Sequence, residues 1–227
     1  LARLRERAAG SGFDLLAVYG DREHSAGLAY LTGFDPRFEE ALLVLGPDGD
    51  PALLVGNECF GLAGAAPVPL RRRLFPDFSL PGQPGRGSRQ VGDLLAAEGI
   101  GPGCRVGVAG WKEYGDPAAS DLPAYLMDAL RSLTGPEGLV ANATGLLIGA
   151  EDGLRTVNEV DQLALFEYAA CHTSQGVRRL LFGLRPGMRE DEAARLVDWD
   201  GRPLSCHLML SSGERAALGR VSPGRRA

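Results

Sequence analysis

Cys206 and His207 stand side by side, and by residue type they are the pair in this chain best suited to hold a metal or move a proton. An imidazole titrates near neutral pH, and a thiolate is a metal ligand and nucleophile. Their spacing argues against a shared ion. Leu204 to Leu210 reads as a short extended segment, and neighbours on a strand point to opposite faces. His207 is therefore expected to be buried or hydrogen-bonded, with a pocket-lining, substrate-binding role as the alternative. His24 and His172 have no acid or thiol at ligand spacing and read as structural or surface residues. Glu190, Asp191 and Glu192 form a carboxylate run that suits the positive end of a helix without any ion. Gly82-Gln83-Pro84-Gly85-Arg86-Gly87 has glycines near phosphate-loop spacing, but no strand leads into it and Pro84 interrupts it, so a surface loop is expected. Asp35-Pro36-Arg37-Phe38-Glu39-Glu40 sets a guanidinium beside an aromatic ring, and guanidinium pairs bidentately with carboxylates. Its plainer alternative is an exposed turn with a local Arg–Glu contact.

The elements that must position these groups follow from pattern. Leu1 to Ala9 reads as an amphipathic helix stopped by Gly10 and Gly12, and Leu15 to Tyr19 as a buried strand. Ala41–Leu45 and Ala52–Val55 flank Gly46-Pro47-Asp48-Gly49-Asp50, the composition of a hairpin loop, which predicts two antiparallel strands. Pro76 to Arg89 is rich in proline, glycine and serine and should be irregular. Val91–Glu98 and Asp121–Leu133 read as helices, Arg105–Ala109 and Leu139–Asn142 as strands, and a domain boundary is expected near Gly149–Gly153. Thr156-Val157-Asn158-Glu159 has the Ser/Thr-x-x-Glu form of a capping box, predicting a helix from there to about Phe182. Arg185-Pro186-Gly187-Met188 ends it, a second helix follows, and Trp199 to Pro203 breaks that one before the loop Ser211–Ala217. Strands alternating with helices give an α/β class, a mixed sheet covered by helices.

Composition narrows the partners. An apolar fraction of 44% with 23% charged residues is that of a folded globular chain rather than a disordered one. A net charge of -5 argues against a nucleic-acid partner, which needs a clustered positive surface. Lys112 is the single lysine, and Arg71-Arg72-Arg73 reads as solvated surface. No apolar run approaches the roughly 18 residues of a membrane span, so no membrane partner and a cytoplasmic location are expected. Cys59, Cys104, Cys171 and Cys206 form no Cys-x-x-Cys pair and are expected to be free, mostly buried thiols.

Two stretches carry a resemblance. Leu28-Ala29-Tyr30-Leu31-Thr32-Gly33-Phe34 is similar to the Tyr-Leu-Thr-Gly-Phe segment found in the amino-terminal domain of the creatinase, aminopeptidase P and prolidase family, the pita-bread metallohydrolases. Further on, Arg155, Glu159, Asp161 and Leu163, then Leu184 to Ala193 with its Pro-Gly-Met turn, then Ser212-Gly213-Glu214-Arg215, resemble the start of the same family's catalytic domain. The resemblance implies a creatinase-type amino-terminal domain over residues 1–150 and an incomplete pita-bread α+β domain over 151–227. It also implies a metal-dependent hydrolase of amide bonds in small peptides, working as a homodimer. In such dimers the loop holding Arg37 and Phe38 reaches the partner's active site, where the pair would bind a carboxylate and an apolar group. Arg220 stands where the family usually has a substrate-facing His, and an Arg there suits anion binding better than proton transfer. The family's two divalent metal ions are held by two Asp, a His and two Glu that would lie beyond Ala227. The chain also begins at Leu1 rather than Met, so a portion of a longer protein is expected, inactive alone and exposing an apolar helix face prone to association. The alternative is a non-catalytic relative that binds a small carboxylate or a protein partner.

Overall fold

The computed structural model describes residues 1–85, 89–219 and 221–225. Two compact units divide the chain, Leu1–Val157 and Asn158–Ala227.

The first unit is built on strands that the sequence makes apolar on both sides. β1 (Leu15–Gly20), β2 (Ala41–Leu45) and β3 (Ala52–Val55) are buried at every position. Such runs fill the middle of a sheet covered on both faces. β2 and β3 pair antiparallel from Ala41 opposite Val55 to Val44 opposite Ala52, the hairpin predicted. β5 (Arg105–Ala109) lies parallel to β1, and β6 (Leu139–Asn142) parallel to β5. With β4 (Arg71–Leu74) beside β3, the six-stranded order is β4-β3-β2-β1-β5-β6.

Strand period two splits the sheet's side chains between two cores. Leu16, Val18, Leu43 and Leu53 face one core, under α1 (Ala2–Gly10), α2 (Ala26–Thr32), α3 (Asn57–Leu62) and α6 (Gly145–Ile148). Leu15, Ala17, Tyr19, Leu42 and Leu54 face the other, with α4 (Val91–Ala97), α5 (Ala124–Thr134) and the turn Pro76–Phe78. Leu43, fully buried, sits in the middle of this arrangement. Leu43→Ala is expected to cost about 2–5 kcal/mol in chemical denaturation, and a loss below about 1 kcal/mol would mean that β2 is not central.

Arg71-Arg72-Arg73 is not simple solvated surface. These residues form the edge strand β4 (Arg71–Leu74), parallel to β3, and Arg71 and Arg73 each reach the fully buried Glu98 carboxylate at 2.6 Å. Charged side chains on an edge strand also discourage pairing with other chains. In the irregular stretch after it, Phe78 is buried against Phe75, while Gly82–Gly85 are exposed. Arg86 and Gly87 of the glycine-rich loop fall outside the described residues. Residues 149–156 are tied into the first unit: Leu154 and Arg155 amides donate to Leu146 and Leu147 carbonyls at 3.0 and 2.8 Å, and the Tyr30 hydroxyl donates to the Leu154 carbonyl at 2.9 Å.

The second unit carries α7 (Val160–Gly183) and α8 (Glu190–Arg195). The start of α7 corrects the predicted cap. Glu159, not Thr156, is the N-cap, and its amide donates to Gln162 Oε1 at 2.9 Å, so the capping box is Glu159 with Gln162. The Thr156 hydroxyl instead donates to the Gly153 carbonyl at 2.7 Å. Leu204–Leu210 does not form a strand, because no neighbouring strand among the described residues supplies a ladder; Leu210 N donates to Val221 O at 3.1 Å.

Candidate functional site: a clamped Arg–Phe loop

The loop after α2 is fixed at both ends. Thr32, fully buried, donates its hydroxyl to the Leu28 carbonyl at 2.6 Å and accepts the Phe34 amide at 3.1 Å. Gly33 ends α2 in the left-handed conformation at φ 69°, where a Cβ would also strike Pro67 at 2.6 Å. Phe34 then plugs the core. At the far end, Glu39 is buried, and its carboxylate accepts the Glu58 amide at 3.2 Å and the Cys59 amide at 2.8 Å, the first turn of α3. A carboxylate at a helix start satisfies orphan amides and favours the positive end of the dipole. The Cys59 thiol donates to the Pro36 carbonyl at 3.0 Å. Burial, with Glu39 next to it, pushes that thiol up to about 12, so it stays protonated and remains a donor.

Between these anchors Arg37 and Phe38 are exposed, Phe38 to 49%. Arg37 has φ 61°, a left-handed backbone in a non-glycine residue, and its amide donates to Asp35 Oδ1 at 2.8 Å. Neither neighbouring glutamate pairs with the Arg37 guanidinium among the described residues. Glu39 is committed to α3, and Glu40 meets the Tyr125 hydroxyl at 3.3 Å. A guanidinium held on a strained turn beside an exposed ring, without a carboxylate of its own, can bind an external carboxylate and an apolar group.

Glu40 belongs to a second group at the carboxyl ends of β1 and β5. Burial pushes its carboxyl above the usual range, opposed by the hydroxyls of Tyr125 and Tyr19. Both tyrosines are raised in turn, first by burial and then by the Glu40 charge. His24 is better partnered than its sequence neighbourhood implied. Its Nδ1 lies 3.0 Å from Asp21 Oδ1, and its ring stacks on Trp111 at 4.5 Å. The available signal was Asp-x-x-His directly after a strand, where Asp21 also accepts the Glu23 and His24 amides at 2.8 Å.

In the second unit Glu190 is a buried charged side chain. Its Oε1 accepts the Ser212 amide at 2.8 Å and hydroxyl at 2.9 Å, and its Oε2 accepts the Gly224 amide and Arg215 Nη1, both at 2.9 Å. One carboxylate thus holds Ser212, Arg215 and Gly224 onto α8. Asp191 pairs with Arg189 at 2.9 Å, so the carboxylate run does more than face a helix dipole. The backbone amides of Gly224 and Ser212, then the Ser212 hydroxyl and Arg215, hold the Glu190 carboxyl below its usual range. A lowered folded-state value means that the unfolded chain binds the proton more tightly. Stability from Glu190 is therefore complete above the ordinary value of about 4.5 and is lost as pH falls through the lowered one. Thermal melts from roughly pH 6 to pH 3 should show this loss, and Glu190→Gln, less stable at the outset, should lose less. Equal slopes for the two proteins would refute it.

His207, expected to be buried or hydrogen-bonded, is exposed, as is Cys206, because Leu204–Leu210 is an uncovered segment rather than a strand. Cys171 is also exposed, on α7, so of four free thiols Cys59 alone is buried. Arg220 lies outside the described residues. Arg37 and Phe38 are adjacent on one loop of the first unit, while His207 is in the second. Sequence reasoning missed Asp35, Glu39, Cys59 and Glu190, whose roles are to hold other groups. Among the described residues no three His, Cys, Asp or Glu side chains are arranged to hold a metal ion, so these residues do not fit a two-metal centre. Among them too, no helix is long and apolar enough to cross a membrane.

No protein-family model and no curated protein matches the chain. Solved structures do. The chain is similar to the prolidase from Pyrococcus furiosus (TM-score 0.69, 13% identity, 99% of this chain and 60% of that one). It is similar to the prolidase from Pyrococcus horikoshii OT3 (TM-score 0.68, 13% identity, 99% and 55%) and to an Xaa-Pro dipeptidase from Bacillus anthracis (TM-score 0.63, 14% identity, 99% and 55%). It thus spans little more than half the length of these neighbours. At such identities the likeness is one of fold, and it agrees with the mixed sheet, the Tyr-Leu-Thr-Gly-Phe segment on α2 and the helix pair after residue 158: the chain has the creatinase/prolidase fold.

Proposed function

We propose that this chain is part of a metallohydrolase that cleaves amide bonds of small peptides, those preceding proline foremost, in a homodimer located in the cytoplasm. The observation that carries the reading is the fold shared with prolidases over 99% of the chain, together with a loop on that fold that offers a guanidinium and a ring to an outside carboxylate ligand. Arg37 binds the substrate carboxylate and Phe38 packs on its apolar part, in the partner's pocket. Two divalent metal ions, held by residues outside these 227, activate water when bound. The residues of this chain bind and orient.

A second reading, a non-catalytic relative that binds a small carboxylate or a protein partner, is favoured by Arg220, which replaces a group able to shuttle protons with one that only donates hydrogen bonds. Metal content and Xaa-Pro cleavage of the full-length protein from the source gene, beside Arg220→His, separate the two. Bound metal with cleavage supports the hydrolase. A folded dimer with neither, and no gain from Arg220→His, moves the assignment to the binding protein.

A further inference from the structure

The geometry points to Glu39 as the positioning residue that sets Arg37 and Phe38 in their binding arrangement, an inference that rests on the substrate-binding reading of that loop. Buried carboxylates are rare unless paired or hydrogen-bonded. Glu39 has no cationic partner at hydrogen-bond distance among the described residues; instead both its oxygens take backbone amides of α3, at 3.2 and 2.8 Å. Its own amide donates to the Pro36 carbonyl at 3.1 Å, the same oxygen that receives the Cys59 thiol at 3.0 Å. The short span Pro36–Glu39 is thereby closed on itself and fastened to α3 twice. Only Arg37 and Phe38 remain to project, with Arg37 held at a positive φ within that closed span.

Gly56 completes the arrangement. Its backbone, at φ -73° and ψ -178°, is open to any residue, yet an added Cβ would lie 2.7 Å from the Glu39 carboxyl carbon and both of its oxygens. The glycine is thus required by the space that Glu39 occupies and not by its own conformation. Gly56→Ala therefore presses first on the Glu39 carboxylate. Glu39→Gln keeps the shape but replaces one acceptor oxygen with an amide group that faces backbone N–H donors. Asp35→Ala removes the acceptor of the Arg37 amide from an exposed position where unfolding is not at stake.

The test measures kcat and KM of the full-length protein on the dipeptide Ala-Pro for the natural protein and for Arg37→Ala, Glu39→Gln, Gly56→Ala and Asp35→Ala, with far-ultraviolet circular dichroism as a check on folding. A positioning role predicts that Glu39→Gln, Gly56→Ala and Asp35→Ala raise KM roughly tenfold, as Arg37→Ala does, while kcat changes less than twofold. It also predicts that Glu39→Gln adds little in an Arg37→Ala background, since residues acting as one unit are not additive. If Glu39→Gln fails to fold, Asp35→Ala and Gly56→Ala decide by the same criterion. An Arg37→Ala effect that none of the three reproduces overturns the positioning role and leaves the substrate-binding reading intact. No Arg37→Ala effect, or no cleavage by the natural protein, removes that reading and the inference with it.

Discussion

Arg37→Gly is expected to make the protein more stable and worse at binding. Arg37 sits at φ 61°, a conformation that costs a side chain with a Cβ roughly 1–2 kcal/mol. Glycine adopts it freely but loses about 0.5–1 kcal/mol more chain entropy on folding, so a net gain of roughly 0.5–1 kcal/mol should appear in chemical denaturation. The same change deletes the guanidinium that the proposed function assigns to the substrate carboxylate. Truncating one side of a charge-assisted pair costs about 1.5–3 kcal/mol, which predicts a rise in KM of roughly ten- to a hundredfold for Ala-Pro. Opposite signs for stability and binding are what a strained functional residue produces, and a merely structural turn would gain stability with no change in KM. An unchanged KM would remove Arg37 from the site. Arg37→Lys should keep the charge and still lose most of the binding, because the planar two-donor fork is lost.

The second large effect concerns α7 in the 227-residue chain. At 100° per residue, Leu163, Phe166, Ala170, Val177 and Leu181 share one face of that helix. All are exposed, Phe166 to 61% and Leu181 to 70%. A different face meets the residues that follow α8: a Cβ on Gly176 would touch Val197 at 2.9 Å, and one on Gly183 would touch Leu196 at 3.0 Å. Burying a large apolar side chain is worth about 1.5–3 kcal/mol, so four of them offer roughly 6–12 kcal/mol before the cost of association is subtracted. Sedimentation velocity on this chain at about ten micromolar should show self-association, and Leu163→Glu with Leu181→Glu should return it to monomer. A monomer before substitution would show that the stripe does not drive association.

The sequence determined the sheet's centre because β1, β2 and β3 are unbroken apolar runs, which leave little choice but a strand buried on both faces. Helix positions α4, α5 and α7 were legible for a similar reason, as period and punctuation are local properties. β4 was not, since Arg71-Arg72-Arg73 carries no apolar signal and becomes a strand only through pairing with β3 and through Glu98, more than twenty residues away. The reverse held for Leu204–Leu210, which has strand composition but no partner strand among the described residues, and a strand exists only as part of a ladder. The cap of α7 moved three residues for a subtler reason: Thr156 and Glu159 have the right spacing, but the Thr156 backbone is folded into the preceding turn, its amide and hydroxyl both donating to the Gly153 carbonyl. Arg37 and Phe38 could be singled out by residue type. That they project while Glu39 turns inward was decided by tertiary structure alone, because the α3 amides that bury Glu39 come from a segment about twenty residues away that no local pattern connects to the loop.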